Sequence, residues 1–491
     1  LTIGLPRVLE FWNSGPFWST FFRALGFQVR FSPPSSRKLY HRGIAQVPSD
    51  TVCFPAKLAH GHMEELLEAG VDRIFMPIMN RMPPENRSLR SDHLCAVVKG
   101  YPMVLDASNE PTDRHGIPFD KPIFHWLDER TRLKQLSDFM AATFSTPRRH
   151  VEAAVVQADR VQKDLFAGLR AEAATILERL SGTEFAVVLA GRPYHSDPLV
   201  SHSVSRHFTR RGIPVIPLDA LSGLEEVDHH GVRAEGTINF HVRMLSGAIK
   251  AAEHPHLELV QIVSFGCGHD AILTDEVVRL MRSSSGREPL TLKLDESDAD
   301  GPVQIRIRSF IETVRRRREG GELMPNRRLT DPYPVKYRRR HRREKVILMP
   351  NVSRAFARIG SAAIRRVGYR IDPLPLADER AIALGKKYIH NDICFPAQIN
   401  IGETLRVLDR GDYTPDQVVC GLAKAQCDCR LAHYASLARK ALDEAGYAEV
   451  PIATTDDDTK NMHPAFKLGT RLQLRMLWGP ALVDALEGLR R

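Results

Sequence analysis

Short apolar runs that end in glycine- or proline-bearing turns alternate along the chain with stretches of helical periodicity. Three such runs occupy residues 185–190 (FAVVLA), 259–264 and 346–349. Continuous runs of this kind are typical of strands buried on both faces of a parallel sheet. The pattern therefore predicts an α/β fold of Rossmann-like parallel-sheet domains with helices on both faces and ligands beyond the carboxyl ends of the strands.

A basic segment punctuated by proline and glycine interrupts this pattern at residues 315–344. Such a composition predicts a solvated linker, here between a first domain at 1–314 and a second domain at 345–491. Within the first domain, residues 148–180 read as a long amphipathic helix. We expect that helix to separate two α/β lobes.

Much of the net charge of +10 lies in that basic segment. No aromatic stacking motif or known binding module accompanies it, which argues against nucleic-acid binding. Contact with a polyphosphate or docking on an acidic partner remain the alternatives to a plain linker. No apolar run is long enough to cross a bilayer, and polar residues interrupt the apolar stretch at 1–30, so we expect neither a membrane span nor a secretory signal. Seven cysteines are too few for a disulfide framework, so we expect a cytoplasmic protein.

A weak internal repeat falls on two cysteines. Cys53 and Cys394 each follow a β-branched residue and begin the string C-F-P-A. The flanks repeat as well, because residues 3–30 and 347–370 both predict a strand, a polar turn, a helix that ends near a glycine, and a second strand. The chain is therefore predicted to contain two related α/β halves.

The cysteine contexts indicate metal or cluster chemistry. Cys53 and Cys394 precede predicted helices, whose positive ends favour thiolates. Cys267 lies between two glycines after a predicted strand, and Cys95 lies in a loop before a second predicted strand at 96–98. The alternative for each is a buried cysteine that packs as a small apolar residue.

The remaining cysteines carry weaker signals. Cys427 and Cys429 are two residues apart, and the absence of a C-x-x-C motif argues against a zinc finger. Cys420 ends an apolar run and is predicted to pack in the core. Thiolates distributed over several strand-end turns suit an iron–sulfur cluster better than zinc or calcium.

Ten short strings carry a family resemblance that runs through essentially the whole chain. They are IGLPRVL (3–9), PFW (16–18), CFPAKLAHGH (53–62), AGRPYH (190–195), SFGCGHD (264–270), LKLDE (292–296), RSFIET (308–313), LGKKY (384–388), NDICFPAQ (391–398) and CR (429–430). With these strings the first half resembles the domain of uncharacterised function in the large activase-like proteins of the 2-hydroxyacyl-CoA dehydratases. The second half resembles the dehydratase-subunit-like domain that follows it, so the whole resembles their non-ATPase part.

The resemblance implies an oxygen-sensitive [4Fe-4S] electron-transfer protein of the family that contains 2-hydroxyacyl-CoA dehydratases, benzoyl-CoA reductases and double-cubane-cluster reductases. By position, Cys53, Cys95 and Cys267 match the three cysteine ligands of that family, which leave one iron position open. Cys394 and Cys429 match cysteines of a second site, whose third ligand is expected beyond residue 491. The second domain is thus expected to be truncated relative to the family.

Two departures from the family pattern shape the cofactor and partner predictions. Residues 423–428 replace a glycine-bearing run and add Cys427. We therefore expect one cluster in the first half and no independently stable cluster in the second, with Cys427 as the alternative third ligand there. No phosphate-binding glycine loop occurs, which predicts that a separate ATPase subunit or domain hydrolyses ATP.

Side chains near the predicted ligands complete the candidate site. His269 and Asp270, and the pair His60 and His62, are candidates to support the cluster sulfurs, the alternative being ordinary structural roles. Lys57, Arg192 and His195 could bind an anionic CoA or phosphate group, the alternative being salt bridges.

Two functions are consistent with this sequence. The first is an iron–sulfur redox subunit that handles low-potential electrons, as a dehydratase-like lyase or a double-cubane-type reductase component acting on a CoA thioester. The second is a non-catalytic binding or assembly component with at most one cluster. The substrate, the electron donor and self-association are left open.

Overall fold

The computed structural model describes residues 1–297, 300–321, 327–351, 353–456 and 458–490. The chain forms two compact units. The first unit contains Leu1–His229 and Gly236–Arg328, and the second contains His230–Glu235 and Leu329–Arg491. Both units alternate parallel strands with helices, so the predicted α/β class is confirmed.

The first unit contains ten strands and eleven α-helices among its described residues. The strands are β1 (Thr2–Leu5), β2 (Gln28–Phe31), β3 (Arg73–Phe75), β4 (Ile78–Arg81), β5 (Phe119–Asp120), β6 (Ile123–His125), β7 (Ala186–Ala190), β8 (Val215–Pro217), β9 (Leu257–Ser264) and β10 (Leu290–Leu294). The helices are α1 (Phe11–Ala24), α2 (Arg37–Gly43), α3 (Phe54–Glu68), α4 (Ala96–Asn109), α5 (Pro111–His115), α6 (Glu129–Phe144), α7 (Arg148–Arg179), α8 (Val204–Thr209), α9 (Asn239–Glu253), α10 (Gly268–Ser285) and α11 (Asp300–Glu319).

The second unit is smaller and built in the same manner. Its strands are β11 (Val346–Met349), β12 (Ile371–Pro373), β13 (Val418–Leu422) and β14 (Ile452–Thr454). Its helices are α12 (His341–Glu344), α13 (Arg354–Arg365), α14 (Glu379–Tyr388), α15 (Phe395–Asp409), α16 (Tyr434–Glu444) and α17 (Thr470–Arg490).

Three four-stranded parallel sheets share one strand order. The orders are β2-β1-β3-β5 and β8-β7-β9-β10 in the first unit and β12-β11-β13-β14 in the second, so each sheet runs second, first, third, fourth along the chain. Strands β4 and β6 form a separate parallel pair. The sequence repeat related only the first and third of these sheets, and the shared order shows that the sheet β8-β7-β9-β10 has the same topology.

The repeated cysteine string builds the same local structure twice. Helices α3 and α15 each have fifteen residues and begin one residue after Cys53 and Cys394. Seven residues into each helix, Gly61 and Gly402 meet the preceding helix. A Cβ atom would lie 2.2 Å from the backbone oxygen of Leu39 at Gly61, and 2.0 Å from that of Ala381 at Gly402. Close helix contact therefore requires glycine at both positions.

An aromatic cluster forms much of the core of the first sheet. Trp18 on α1 is fully buried, and its ring centroid lies 4.7 Å from that of Phe75 and 5.2 Å from that of Trp126. Helix α7 packs along α1, with Val151, Ala154, Val155 and Ala158 buried. The helix predicted at residues 148–180 is therefore present as α7, and it packs against helix α1.

The predicted linker and one predicted strand need correction. Within the segment 315–344, Arg317 and Arg318 lie in the last turn of helix α11. A guanidinium nitrogen of each lies 2.6 Å from the buried carboxylate of Glu258. Tyr333 and Tyr337 are buried in the second unit, so the segment is not solvated throughout. Residues 322–326 of the segment lie outside the described residues.

Residues 96–98, which follow Cys95, form the first turn of helix α4 rather than a strand. The buried residues of this helix include Val98, Tyr101 and Leu105, a spacing of three and four that belongs to a helix. The short β-branched run at its start had suggested a strand, and the helical spacing of the following residues outweighs that signal.

No helix within the described residues is long and apolar enough to span a membrane.

Candidate metal centre

Three cysteines of the first unit occupy the same structural position, immediately before a helix. Cys53 precedes α3, Cys95 precedes α4 and Cys267 precedes α10, and each has extended rather than helical backbone torsions. All three residues are half-buried. At such positions a sulfur faces unpaired backbone N–H groups and the positive end of the helix dipole, which favour a thiolate or a bound anionic cluster.

The three thiols also affect one another electrostatically. Burial and then the neighbouring thiol of Cys95 raise the pKa of Cys53 to about 12. Burial and then the Asp270 carboxylate raise the pKa of Cys267 to about 12, with smaller contributions from Cys95 and Cys53. Three neighbouring thiolates would therefore repel one another unless a cation lay among them.

Tyr194 lies in the same neighbourhood. Its phenol is buried, and burial raises its pKa well above the ordinary value. The guanidinium of Arg192 lowers that pKa, whereas Cys53, Cys95 and Cys267 each raise it. Tyr194 belongs to the AGRPYH string, but nothing in the string alone connects it with three cysteines so distant in the sequence.

A buried ion pair lies beside Cys267. Arg192 Nη1 is 2.6 Å from Asp270 Oδ1, and the side chains are 1% and 0% exposed. Arg192 Nη2 lies 3.8 Å from Cys267 Sγ and 3.1 Å from His241 Nε2. Arginine only donates hydrogen bonds, so His241 accepts through Nε2. His241 was not a candidate from the sequence, because α9 carries it without any motif.

The backbone around Arg192 is fixed by side chains from the neighbouring turns. The Arg192 backbone N–H donates to His195 Nδ1 at 3.0 Å, which leaves His195 Nε2 to donate to Ser264 Oγ at 3.2 Å. The Ser264 backbone N–H donates to Asp270 Oδ2 at 2.8 Å. A Cβ atom on Gly191 would lie 2.7 Å from His195 Nδ1, so the turn needs glycine there.

The sequence suggested an anion-binding role for Lys57, Arg192 and His195. The contacts of these side chains do not favour that role. Lys57 Nζ lies 2.7 Å from Glu296 Oε1, and Arg192 is paired with Asp270. His195 is buried, and burial followed by the Arg192 charge holds its pKa well below the ordinary value. The salt-bridge alternative therefore describes Lys57 and Arg192.

His60 and His62, which the sequence placed together, belong to different networks. His60 Nε2 accepts from Tyr101 Oη at 3.0 Å, and its Nδ1 lies 2.8 Å from Asn109 Oδ1. Burial and then Cys53 raise the pKa of Tyr101, so this network reaches the cysteine site. His62 instead bonds Ser32 and Ser35, and burial lowers its pKa to about 3.

His269 and Asp270 lie in the first turn of α10, immediately after Cys267 and Gly268. His269 is buried, and its ring centroid lies 5.1 Å from that of His241. The Asp270 carboxylate pairs with the Arg192 guanidinium and accepts a hydrogen bond from the Ser264 backbone N–H. Gly266 has φ +72°, a left-handed conformation that explains a glycine before Cys267.

The cysteines of the second unit are arranged differently. Cys394 Sγ lies 3.4 Å from Tyr434 Oη, and burial followed by Cys394 and Cys429 raises the pKa of Tyr434. The Cys427 thiol donates to the Ala425 carbonyl at 3.4 Å and lies 3.9 Å from the Cys429 carbonyl oxygen. Cys420 is 1% exposed on β13 and packs in the core, as expected.

A buried charge cluster fills the carboxyl ends of β13 and β14. Lys424 Nζ lies 2.6 Å from Glu235 Oε1 and 3.3 Å from Asp456 Oδ2, and the Lys424 side chain is fully buried. Thr459 Oγ1 donates to Glu235 Oε2 at 3.1 Å. In the sequence only Lys424, within the stretch 423–428, pointed to this cluster. Its partners Glu235 and Asp456 are distant from it in the chain.

Comparison with known proteins adds one family relation. No curated protein matches the chain. Structures of the SBP FpvC from P. aeruginosa with Ni²⁺ and of an FpvC mutant are 12% and 13% identical to it. Both matches cover 65% of this chain and 97% and 100% of theirs, with TM-scores of 0.20, too low to support an argument. Residues 2–221 match the CoA enzyme activase uncharacterised domain (DUF2229), which relates this part of the chain, with Cys53 and Cys95, to the CoA enzyme activases at the level of that domain.

Proposed function

We propose that the first unit binds one [4Fe-4S] cluster through Cys53, Cys95 and Cys267. The observation that carries the proposal is that three cysteines, each directly before a different helix, lie close enough to interact electrostatically with one another and with Tyr194. Residues separated by 42 and 172 positions thus share one electrostatic environment. A cluster would neutralise the repulsion between their thiolates.

The donor set fits an iron–sulfur cluster. All three donors are soft thiols, the ligand type that iron–sulfur clusters use. Helix N-termini stabilise the negative charge that a thiolate-ligated cluster carries. Three cysteines leave one iron without a protein thiolate, and that position would be available to another ligand.

Electron transfer follows from this cofactor as a proposed role. When bound, the cluster would supply one-electron chemistry at a potential set by burial and hydrogen bonding. The three cysteines would ligate the cluster, the buried Tyr194 would lie in their neighbourhood, and the contacts of Asp270 with Arg192 and Ser264 fix the turn that carries Cys267. The family relation of residues 2–221 supports a role with CoA enzyme activases.

We place the substrate and the energy source on partners. The proposed substrate class is a CoA thioester, as the family resemblance implies. The sequence lacks a phosphate-binding glycine loop, so reduction would depend on a separate ATPase or a strong chemical donor. The 491-residue chain is accordingly expected not to hydrolyse ATP.

The second unit supports a different candidate function, that of a binding or assembly module. Lys424, Glu235 and Asp456 fill the strand ends near Cys427 and Cys429 with a charge cluster. A buried ammonium group there needs its carboxylate partners. We therefore propose that this unit holds no stable cluster by itself.

Iron and acid-labile sulfide analysis of anaerobically reconstituted protein tests the cluster proposal. We expect about four irons and four sulfides per chain, and substantial loss in Cys53→Ser, Cys95→Ser and Cys267→Ser. The matched control is Cys420→Ser, a buried thiol on β13, which should retain iron. Wild-type protein without iron, or equal loss in the control, would refute the proposal.

A further inference from the structure

We propose that Arg192 and Asp270 are positioning residues that tune the reduction potential of the proposed cluster through Cys267, with Arg192 raising the potential and Asp270 lowering it. The inference rests on the proposed cluster and concerns side chains that would not ligate iron. It requires a fixed positive charge near one ligand sulfur and a fixed negative charge behind it, both shielded from water.

The geometry meets that requirement. The guanidinium forms an ion pair with the Asp270 carboxylate, with Nη1 2.6 Å from Oδ1, and its Nη2 lies 3.8 Å from Cys267 Sγ. The two side chains are 1% and 0% exposed. Water and salt therefore screen these charges far less than they screen surface charges.

Each charge is also held in orientation by a contact of its own. His241 Nε2 accepts from Arg192 Nη2 at 3.1 Å, so the Nη2 that faces the sulfur is anchored on helix α9. Asp270 Oδ2 accepts the Ser264 backbone N–H at 2.8 Å, which anchors the carboxylate at the end of β9. Neither side chain can rotate away without losing a buried hydrogen bond.

The two charges have opposite effects on a cluster at this position. Reduction adds one negative charge to a cluster, so a nearby guanidinium that donates toward a ligand sulfur stabilises the reduced state and raises the potential. A carboxylate near the same sulfur disfavours added negative charge and lowers the potential. If Arg192 and Asp270 had only a structural role, replacing them would change iron retention but would not shift the reduction potential in opposite directions.

The test is an anaerobic redox titration with dithionite, followed by electron paramagnetic resonance, of wild-type protein, Arg192→Gln, Arg192→Lys and Asp270→Asn. At a fixed potential near the wild-type midpoint, Arg192→Gln should lower the ratio of reduced to oxidised cluster about tenfold, equivalent to about 59 mV for a one-electron couple. Asp270→Asn should raise the ratio, and Arg192→Lys should lie between wild type and Arg192→Gln. Arg243→Gln is the matched control, because Arg243 is an arginine only 11% exposed that pairs with Glu85 and Asp219.

The outcomes separate this inference from the proposed function. Full iron content with unchanged potentials in Arg192→Gln and Asp270→Asn, or shifts of the same sign in both, overturns the inference and leaves the cluster intact. Wild-type protein that binds no iron overturns the cluster and the inference with it. If Arg192→Gln loses iron, the opposite shifts expected of Arg192→Lys and Asp270→Asn decide the question, and the absence of either shift overturns the inference.

Discussion

Replacing Glu235 by glutamine should destabilise the second unit by about 3 kcal/mol. Removal of one partner from a buried ion pair typically costs about 3–5 kcal/mol, because the other charge stays buried. Lys424 would retain Asp456 at 3.3 Å, which places the cost at the lower end. The carboxylate removed is the closer partner, at 2.6 Å.

Native-state hydrogen exchange at the β13 amides measures this loss. A loss of about 3 kcal/mol should accelerate their exchange about 100-fold at pH 7, since about 1.4 kcal/mol corresponds to a factor of ten. Burial alone would raise the pKa of Glu235, but the Lys424 and Lys460 ammonium groups hold it below its ordinary value. The stabilisation is therefore present above the unfolded-state pKa and is lost as the pH falls through the folded-state pKa.

Two variants make the outcome decisive. Glu444→Gln, at an exposed position on α16, is the matched control and should change the exchange rate little. Adding Lys424→Met to Glu235→Gln should recover part of the loss, because no unpaired ammonium group then remains. Exchange in Glu235→Gln that is no faster than in Glu444→Gln would refute the reasoning.

Three further predictions concern buried groups and thiols. Burial raises the pKa of Glu10 from 4.5 to about 7, so the ionised carboxylate destabilises the fold as the pH rises through this window. In urea unfolding at pH 8, Glu10→Gln should be more stable than wild type by up to about 3 kcal/mol. An unchanged or lower free energy of unfolding in Glu10→Gln would contradict this prediction. Gly385→Ala would place Cβ 2.0 Å from a backbone oxygen of α15 and should cost about 1–3 kcal/mol, whereas Gly469→Ala, which faces open space, should cost little. In native alkylation followed by mass spectrometry, exposed Cys429 should react first and buried Cys420 last; the reverse order would contradict the burial.

The local elements of the fold were largely predictable from the sequence. The apolar runs at 185–190, 259–264 and 346–349 correspond to β7, β9 and β11 within two residues, because continuous burial on both faces leaves a clear signal. The repeat around Cys53 and Cys394 also predicted a helix after each cysteine, although the helices begin at Phe54 and Phe395, four residues before the expected Leu58 and Ile399. The first turn of α4 was missed because a short β-branched run is ambiguous between helix and strand.

The contacts within the candidate site were less predictable. Arg192 and Asp270 are 78 positions apart, and Lys424 and Glu235 are 189 apart, so the fold alone brings them together. The sequence could identify Asp270 as a neighbour of Cys267 but not its arginine partner. Glycines such as Gly402 were visible in the sequence, but their role in helix contact depends on the position of the facing helix.

The most direct test of the central claim is the Mössbauer spectrum of protein reconstituted anaerobically with ⁵⁷Fe and sulfide. The account predicts a [4Fe-4S] signal in which one iron in four responds to an added ligand such as cyanide, because Cys53, Cys95 and Cys267 would leave one iron without a protein thiolate. Cys267→Ser should remove most of this signal, and Cys427→Ser should remove little. Equal loss from both substitutions, or a cluster whose four irons all ignore the added ligand, would contradict the account.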